Sequence, residues 1–228
     1  MPELNFNITG VAAATRGVVP LIRFKLRVNT VNSGESIRGL ILNTQIQIQS
    51  PQRVYSSSEK ELLEDLFGAP ERWGQTLRNR LWTHANCTLG AFTGAAETVI
   101  TVPCTFDLNI AATKYFYALD DGEVPLLFLF SGSAFYLSAE GKLQVERVSW
   151  DKECAYRMPV KCWKELMEEH YPNCGWLYLK RDVFDRLYKY RRQNGLATWE
   201  QTVESLLNEG DKRQRELSSG RPREEVPV

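Results

Sequence analysis

No two of the five cysteines (Cys87, Cys104, Cys154, Cys162, Cys174) stand at C-x-x-C spacing, and their number is odd. That removes the usual zinc-ribbon and thiol-oxidoreductase motifs and predicts free thiols in a reducing cytoplasm. Histidine is almost missing: only His84 and His170 occur, so any Ser-His or Cys-His catalysis must use one of them. No apolar run approaches the roughly 18 residues of a membrane span, and the start MPELNFNITG lacks the basic head and apolar stretch of a signal peptide. A cytoplasmic chain without a membrane span is therefore expected. Lys+Arg and Asp+Glu are both 28, so bulk charge selects neither nucleic acid nor an anionic membrane. Phosphate-loop, dinucleotide and H-E-x-x-H patterns are absent, as is any internal repeat. No cofactor and no metal are expected.

What is present is period-two alternation. Leu4, Phe6 and Ile8 alternate with polar residues up to Gly10. Ile22, Phe24, Leu26 and Val28 oppose Arg23, Lys25 and Arg27, and, after a turn at Asn32-Ser33-Gly34, Leu40, Leu42, Thr44, Ile46 and Ile48 oppose Asn43, Gln45, Gln47 and Gln49. Successive strand side chains point to opposite faces, so three such runs predict an antiparallel sheet with one wet face. Leu81–His84 and Thr98–Val102 read as further strands.

Tyr115–Trp150 holds the densest apolar run. Tyr115–Leu119 reads as extended, Asp120-Asp121-Gly122-Glu123 as a hairpin turn, and Pro125–Phe130 as a strand buried on both faces. Gly132 marks a bulge or a close backbone approach, and Glu140-Gly141 the next turn. Pro103–Ala112 reads as either a bent strand or a helical turn, with the strand favoured because Phe106, Leu108 and Ile110 alternate.

Helical spacing occurs first at about 58–67, where Ser58 and Glu61 stand at capping-box distance and Gly68 is a stop. It takes over after Trp150. Met158-Pro159 opens a helix carrying Trp163, Leu166, Met167 and His170. Asp182 caps a second with Phe184, Leu187, Tyr188 and Arg191, and Thr198/Gln201 box a third with Trp199, Val203, Leu206 and Leu207, stopped at Gly210. The fold class expected is α+β: an antiparallel β-sandwich of about seven to nine strands over 1–150, then about three helices over 151–210 packed on it, and a disordered tail at 211–228. At this length about 70% of the unfolded surface is buried, so no disulfide or metal is needed to complete a core.

Three phrases, FGAPERWGQTLRNRLWTH (67–84), DDGEVPLLFLFSGSAFY (120–136) and WDKECAYRMPVKCWKELMEEHYPNCGWLYL (150–179), carry a resemblance over roughly residues 4–208. The chain resembles an uncharacterised bacterial family of the domain-of-unknown-function 6084 type. The resemblance brings no activity or catalytic residue with it. It implies an accessory role, since some members are associated with gene clusters for nickel–iron hydrogenases.

The most suggestive polar cluster is Trp150, Asp151, Glu153, Tyr156 and Arg157, with Trp163 on the helix that follows. It stands where sheet is expected to give way to helix, a natural place for a groove that binds a polar ligand or a partner segment. The same residues read as a structural corner, with Asp151 capping a turn and Arg157 ion-paired. Asp120, Asp121 and Glu123 read as a solvated turn, and His170 as a satisfied residue at a helix end. A zinc site from His170 and Cys174 is disfavoured by Pro172 between them. Ser131-Gly132-Ser133 lacks the pattern of a nucleophile elbow. Of the cations around residues 180–192, about half already have partners through the i,i+4 pairs Asp182/Arg186 and Asp185/Lys189, against nucleic-acid binding. The sequence thus favours a non-catalytic binding or accessory protein with a protein partner. The alternative is an enzyme acting on a small polar substrate through the carboxylate/Tyr/Arg cluster.

Overall fold

The computed structural model describes residues 3–14, 17–31, 36–138 and 140–219, with side chains through residue 215. The expected Asn32–Gly34 turn lies outside the described residues. The chain divides into two compact units, Met1–Cys174 and Gly175–Val228. Its class is α+β, and among the described residues every strand pairing is antiparallel.

The first unit begins with β1 (Leu4–Ala14), β2 (Leu21–Thr30) and β3 (Ser36–Ile48). On β2, Ile22, Phe24, Leu26 and Val28 are fully buried while Arg23, Lys25 and Arg27 face water, as the alternation requires. β1 runs past Gly10, with a register shift between Ile8 and Gly10. α1 (Ser57–Phe67) and the short α2 (Trp73–Thr76) precede β4 (Arg80–Leu89), β5 (Phe92–Thr93) and β6 (Ala95–Pro103). Then come α3 (Ile110–Ala118), β7 (Glu123–Leu137), β8 (Leu143–Arg147), β9 (Glu153–Pro159) and α4 (Val160–His170).

One sheet has the order β1-β2-β6. The other runs β4-β3-β7-β8, with β5 on β3 and β9 on β7. Rings join the two: Phe6 stacks on Phe130 at 4.6 Å, and Phe24 meets Phe128 edge-on at 5.0 Å and Trp82 at 6.2 Å. Each ring adds about 1.5–3 kcal/mol of burial, with a further ~1 kcal/mol for a favourable pair.

β7 is the central strand. β3 lies along one side, while β9 covers Glu123–Leu129 and β8 covers Ser133–Leu137 on the other. Leu126, Phe128 and Phe130 are buried and Leu127 and Leu129 half-buried, as expected of this run. Pro125 stands third in the strand, and its carbonyl accepts from the Gln49 amide at 2.9 Å. Gly132, opposite Leu42, is a close approach: at φ 151° a Cβ would overlap the Ile41 carbonyl oxygen.

Several expectations are corrected. Tyr115–Leu119 is not a strand and Pro103–Ala112 not a bent one. Asn109 accepts from the Ala112 amide at 3.0 Å and so starts α3, while its own amide donates to the Leu81 and Trp82 carbonyls at 3.2 and 2.8 Å. Asp120–Glu123 is consequently a helix-to-strand turn, with Gly122 at φ 86°. The capping box of α1 is Ser56/Glu59, two residues earlier than read. β9 lies inside the stretch assigned to helix, and Pro159 ends that strand as the N-cap of α4.

In the second unit, α5 (Arg181–Gln193) is preceded by Lys180 as N-cap, which puts Asp182 inside the helix. α6 (Trp199–Ser219) carries the expected box: Gln201 amide to Thr198 Oγ1 at 3.2 Å, and Thr198 amide to Gln201 Oε1 at 3.4 Å. It continues through Gly210 into the segment read as disordered. A single glycine costs a helix about 1 kcal/mol, which does not stop one flanked by good helix formers. Residues 220–228 lie outside the described residues. Among the described residues no helix is long and apolar enough to cross a membrane.

Candidate functional site

The residues singled out by sequence are distributed by the strand period of β9. Residues 152, 154, 156 and 158 face the interior side to differing degrees, and 153, 155, 157 and 159 face outward. Glu153 and Arg157 therefore share one face, and Tyr156 lies on the other, edge-on to Phe24 at 6.1 Å. Burial, and more weakly the nearby Cys162 and Glu123, pushes the Tyr156 phenol up. Trp150 stands 93% exposed on the corner between β8 and β9. Asp151, on the same corner, is held below the usual carboxylate range by the Ser149 hydroxyl. It lines a small pocket of about 280 Å³ whose wall mixes Glu3, Glu146, Arg147, Ser149 and Lys152 with Leu4, Ala134 and Val148, and there Lys152 Nζ pairs with Glu3 at 3.2 Å. Trp163 is elsewhere, buried in α4 and stacked on Phe116 at 5.5 Å.

Trp163 belongs to a second cavity, which sequence reasoning did not assemble. It is a groove of about 590 Å³ whose walls are Leu62 of α1, Phe106, Tyr117 of α3, Trp163, Lys164, Glu165, Met167 and Glu168 of α4, and Tyr171 and Cys174 beyond it. Leu62 is 56% exposed and Tyr117 66% exposed. Phe106 and Tyr171 pack at 4.7 Å. The lining is mostly aromatic and aliphatic, with charged residues from α4 only. One signal was legible: Leu62 beside Leu63 makes the apolar stripe of α1 wider than core packing alone requires. Tyr117 was hidden by the mistaken strand.

The walls are held by a network centred on the enclosed Arg53–Glu59 pair. Glu59 Oε1 accepts from Arg53 Nη2 at 2.6 Å and the Asp120 amide at 2.9 Å, and its Oε2 accepts from the Ser56 amide at 2.9 Å. Burial raises the Glu59 pKa, but the Ser56 and Asp120 amides and the Arg53 guanidinium together hold it below its ordinary value. Arg53 also donates to the Glu123 and Asp121 carbonyls, both at 2.6 Å, and Lys164 Nζ donates to the Asp120 carbonyl at 3.1 Å. Lys114 of α3 pairs with Asp65 of α1. Below them the Tyr55 hydroxyl donates to the Ser50 carbonyl at 2.9 Å and meets the Tyr115 hydroxyl at 3.1 Å; burial pushes both phenols up. α1, α3 and α4 thus meet at the Asp120 turn.

Burial pushes the Cys104 thiol up to about 12 and raises Cys87 and Cys162, which disfavours the thiolate form of each. His170 Nδ1 lies 2.9 Å from the Leu166 carbonyl oxygen, satisfied at the end of α4 as its position implied. His84 is exposed on β4 opposite Gln45. Among the described residues, no three of His, Cys, Asp and Glu gather as metal ligands.

Solved structures with partial similarity include the CARDB domain of a Pyrococcus furiosus protein in complex with di-metal ions, at 10% identity and a TM-score of 0.26, over 69% of this chain and 91% of that one. A putative ApaA protein from Bordetella pertussis matches at 8% identity and a TM-score of 0.24, over 69% and 93%. A putative late embryogenesis abundant protein matches at 14% identity and 0.29, over 70% and 72%. No curated protein matches the chain in sequence. At the family level, residues 1–215 match a family described as one of unknown function.

Proposed function

The chain belongs to DUF6084, a family of unknown function, and from its own geometry we propose that it is a non-catalytic binding or accessory protein whose α1–α3–α4 groove receives an apolar segment of a protein partner. In this reading the two antiparallel sheets are the layers of a sandwich that serves as scaffold, and the groove is the working surface. The observation that carries it is Leu62 and Tyr117, two large side chains more than half exposed in the groove that Trp163 also lines. Aromatic and aliphatic anchors in a rimmed groove supply most of the energy of a protein contact. Free thiols are in keeping with work in the cytoplasm. Assembly of a bacterial redox enzyme such as a hydrogenase, the role implied by the family resemblance, is the setting proposed for the partner.

The enzymatic alternative needs Asp151, Glu153, Tyr156 and Arg157 around one substrate, whereas β9 divides Glu153 and Arg157 from Tyr156. The test is affinity capture from the native host with the intact chain and with Leu62→Glu/Tyr117→Glu, both exposed positions that leave the core intact. A partner retained by the first and lost by the second supports the proposal. Equal capture by both removes the groove from it.

A further inference from the structure

The second unit is a pair of amphipathic helices with very little interior. Of the described residues between 175 and 215, Thr202 alone is buried. α5, 13 residues long, buries none of its side chains. Helices of that length are marginal in water and draw their stability from packing of the apolar face. Yet Tyr178 is 71% exposed, and Phe184, Val203 and Leu207 are all substantially so. Within this unit, Leu177, Tyr178, Phe184, Trp199 and Val203 line a cleft of about 830 Å³. Its charged lining is split by element: Lys180 and Arg181 stand at the start of α5, Glu200 and Glu204 in the first turns of α6.

A cleft with one basic and one acidic bank is self-complementary. A two-fold axis sets the basic bank of each copy against the acidic bank of the other, twice over, while the apolar stripes meet between them. We propose that the α5–α6 hairpin is a homodimerisation element whose occupant is the same hairpin of a second copy, the two closing into a four-helix bundle. This is independent of the groove in the first unit.

The test uses the full chain and light scattering coupled to size exclusion, with analytical ultracentrifugation for the dissociation constant. Wild type is expected to be a dimer. Lys180→Glu/Arg181→Glu and Glu200→Lys/Glu204→Lys each oppose like charges and weaken the dimer by about tenfold or more. An equimolar mixture of the two restores it, because both contacts then pair opposite signs. Val203→Asp, in the apolar stripe, abolishes it, with far-UV circular dichroism confirming that the helices persist. A wild-type monomer well above micromolar concentration overturns the proposal, as does a dimer indifferent to the reversals, a mixture that fails to recover, or monomers that instead bind anionic vesicles.

Discussion

Replacing Glu59 by Gln removes one charge from the network that joins α1, α3 and α4 while keeping the shape of the side chain. Both partners of the ion pair are enclosed, with side chains 9% exposed for Arg53 and 4% for Glu59. Breaking a buried pair from one side costs about 3–5 kcal/mol, because the remaining charge is stranded in a poor dielectric. Here the stranded Arg53 keeps the Asp121 and Glu123 carbonyls, which softens the loss. The glutamine must still turn its amide towards either the Ser56 amide or the Arg53 and Asp120 donors, leaving a buried donor unmatched at about 1–3 kcal/mol. The expectation is a destabilisation of about 3 kcal/mol at neutral pH, measured by urea unfolding followed through tryptophan fluorescence. The pH dependence has a definite sign. The folded-state pKa of Glu59 lies below its ordinary 4.5, so its contribution is complete above that value and is lost as pH falls through the lower, folded value. Wild type and variant should converge in acid. A neutral-pH difference under about 1 kcal/mol, well short of the buried-pair range, would refute the reasoning; so would curves that stay parallel below pH 4.5.

Three further substitutions probe other elements. Gly132→Ala drives a methyl into the Ile41 carbonyl at a φ that L-residues avoid, so a loss of about 3 kcal/mol or more is expected in thermal unfolding; a near-neutral result would mean that β3 and β7 are not so close. Asn109→Ala removes the α3 cap and two bonds to β4, which should lower stability by about 1–2 kcal/mol in the same assay, whereas no change would deny Asn109 its capping role. Trp163→Ala empties the floor of the groove and its stack on Phe116, at about 3–5 kcal/mol; a cost near that of a surface substitution would show the indole to be unpacked.

The strands were legible where one face is wet. On β2 and β3 each polar residue stands opposite a buried one, and no other element type satisfies that spacing. ECAYRMP carries the same alternation, which marks β9 and divides the polar cluster between two faces. Tyr115–Leu119 was not legible. Tyr115 and Phe116 are buried while Tyr117 beside them is exposed, so α3 shows no single apolar stripe, and what makes it a helix is Asn109 anchored to two carbonyls of β4. Ser56-Ser57-Ser58 offers more than one box spacing, and the choice of Ser56/Glu59 is made by Arg53 and by the Asp120 amide, which is 61 residues away in sequence. The groove has the same origin: Leu62, Tyr117 and Trp163 come from three helices, and no local pattern brings them together.

A photo-reactive residue placed at Tyr117 in the native host tests the account most directly, with the same residue at Leu143 on β8, also exposed, as its control. The account predicts one reproducible protein adduct from position 117, absent from position 143 and abolished by Leu62→Glu. Adducts that are equal at both positions, or that survive the Leu62 substitution, would contradict it, as would none at position 117.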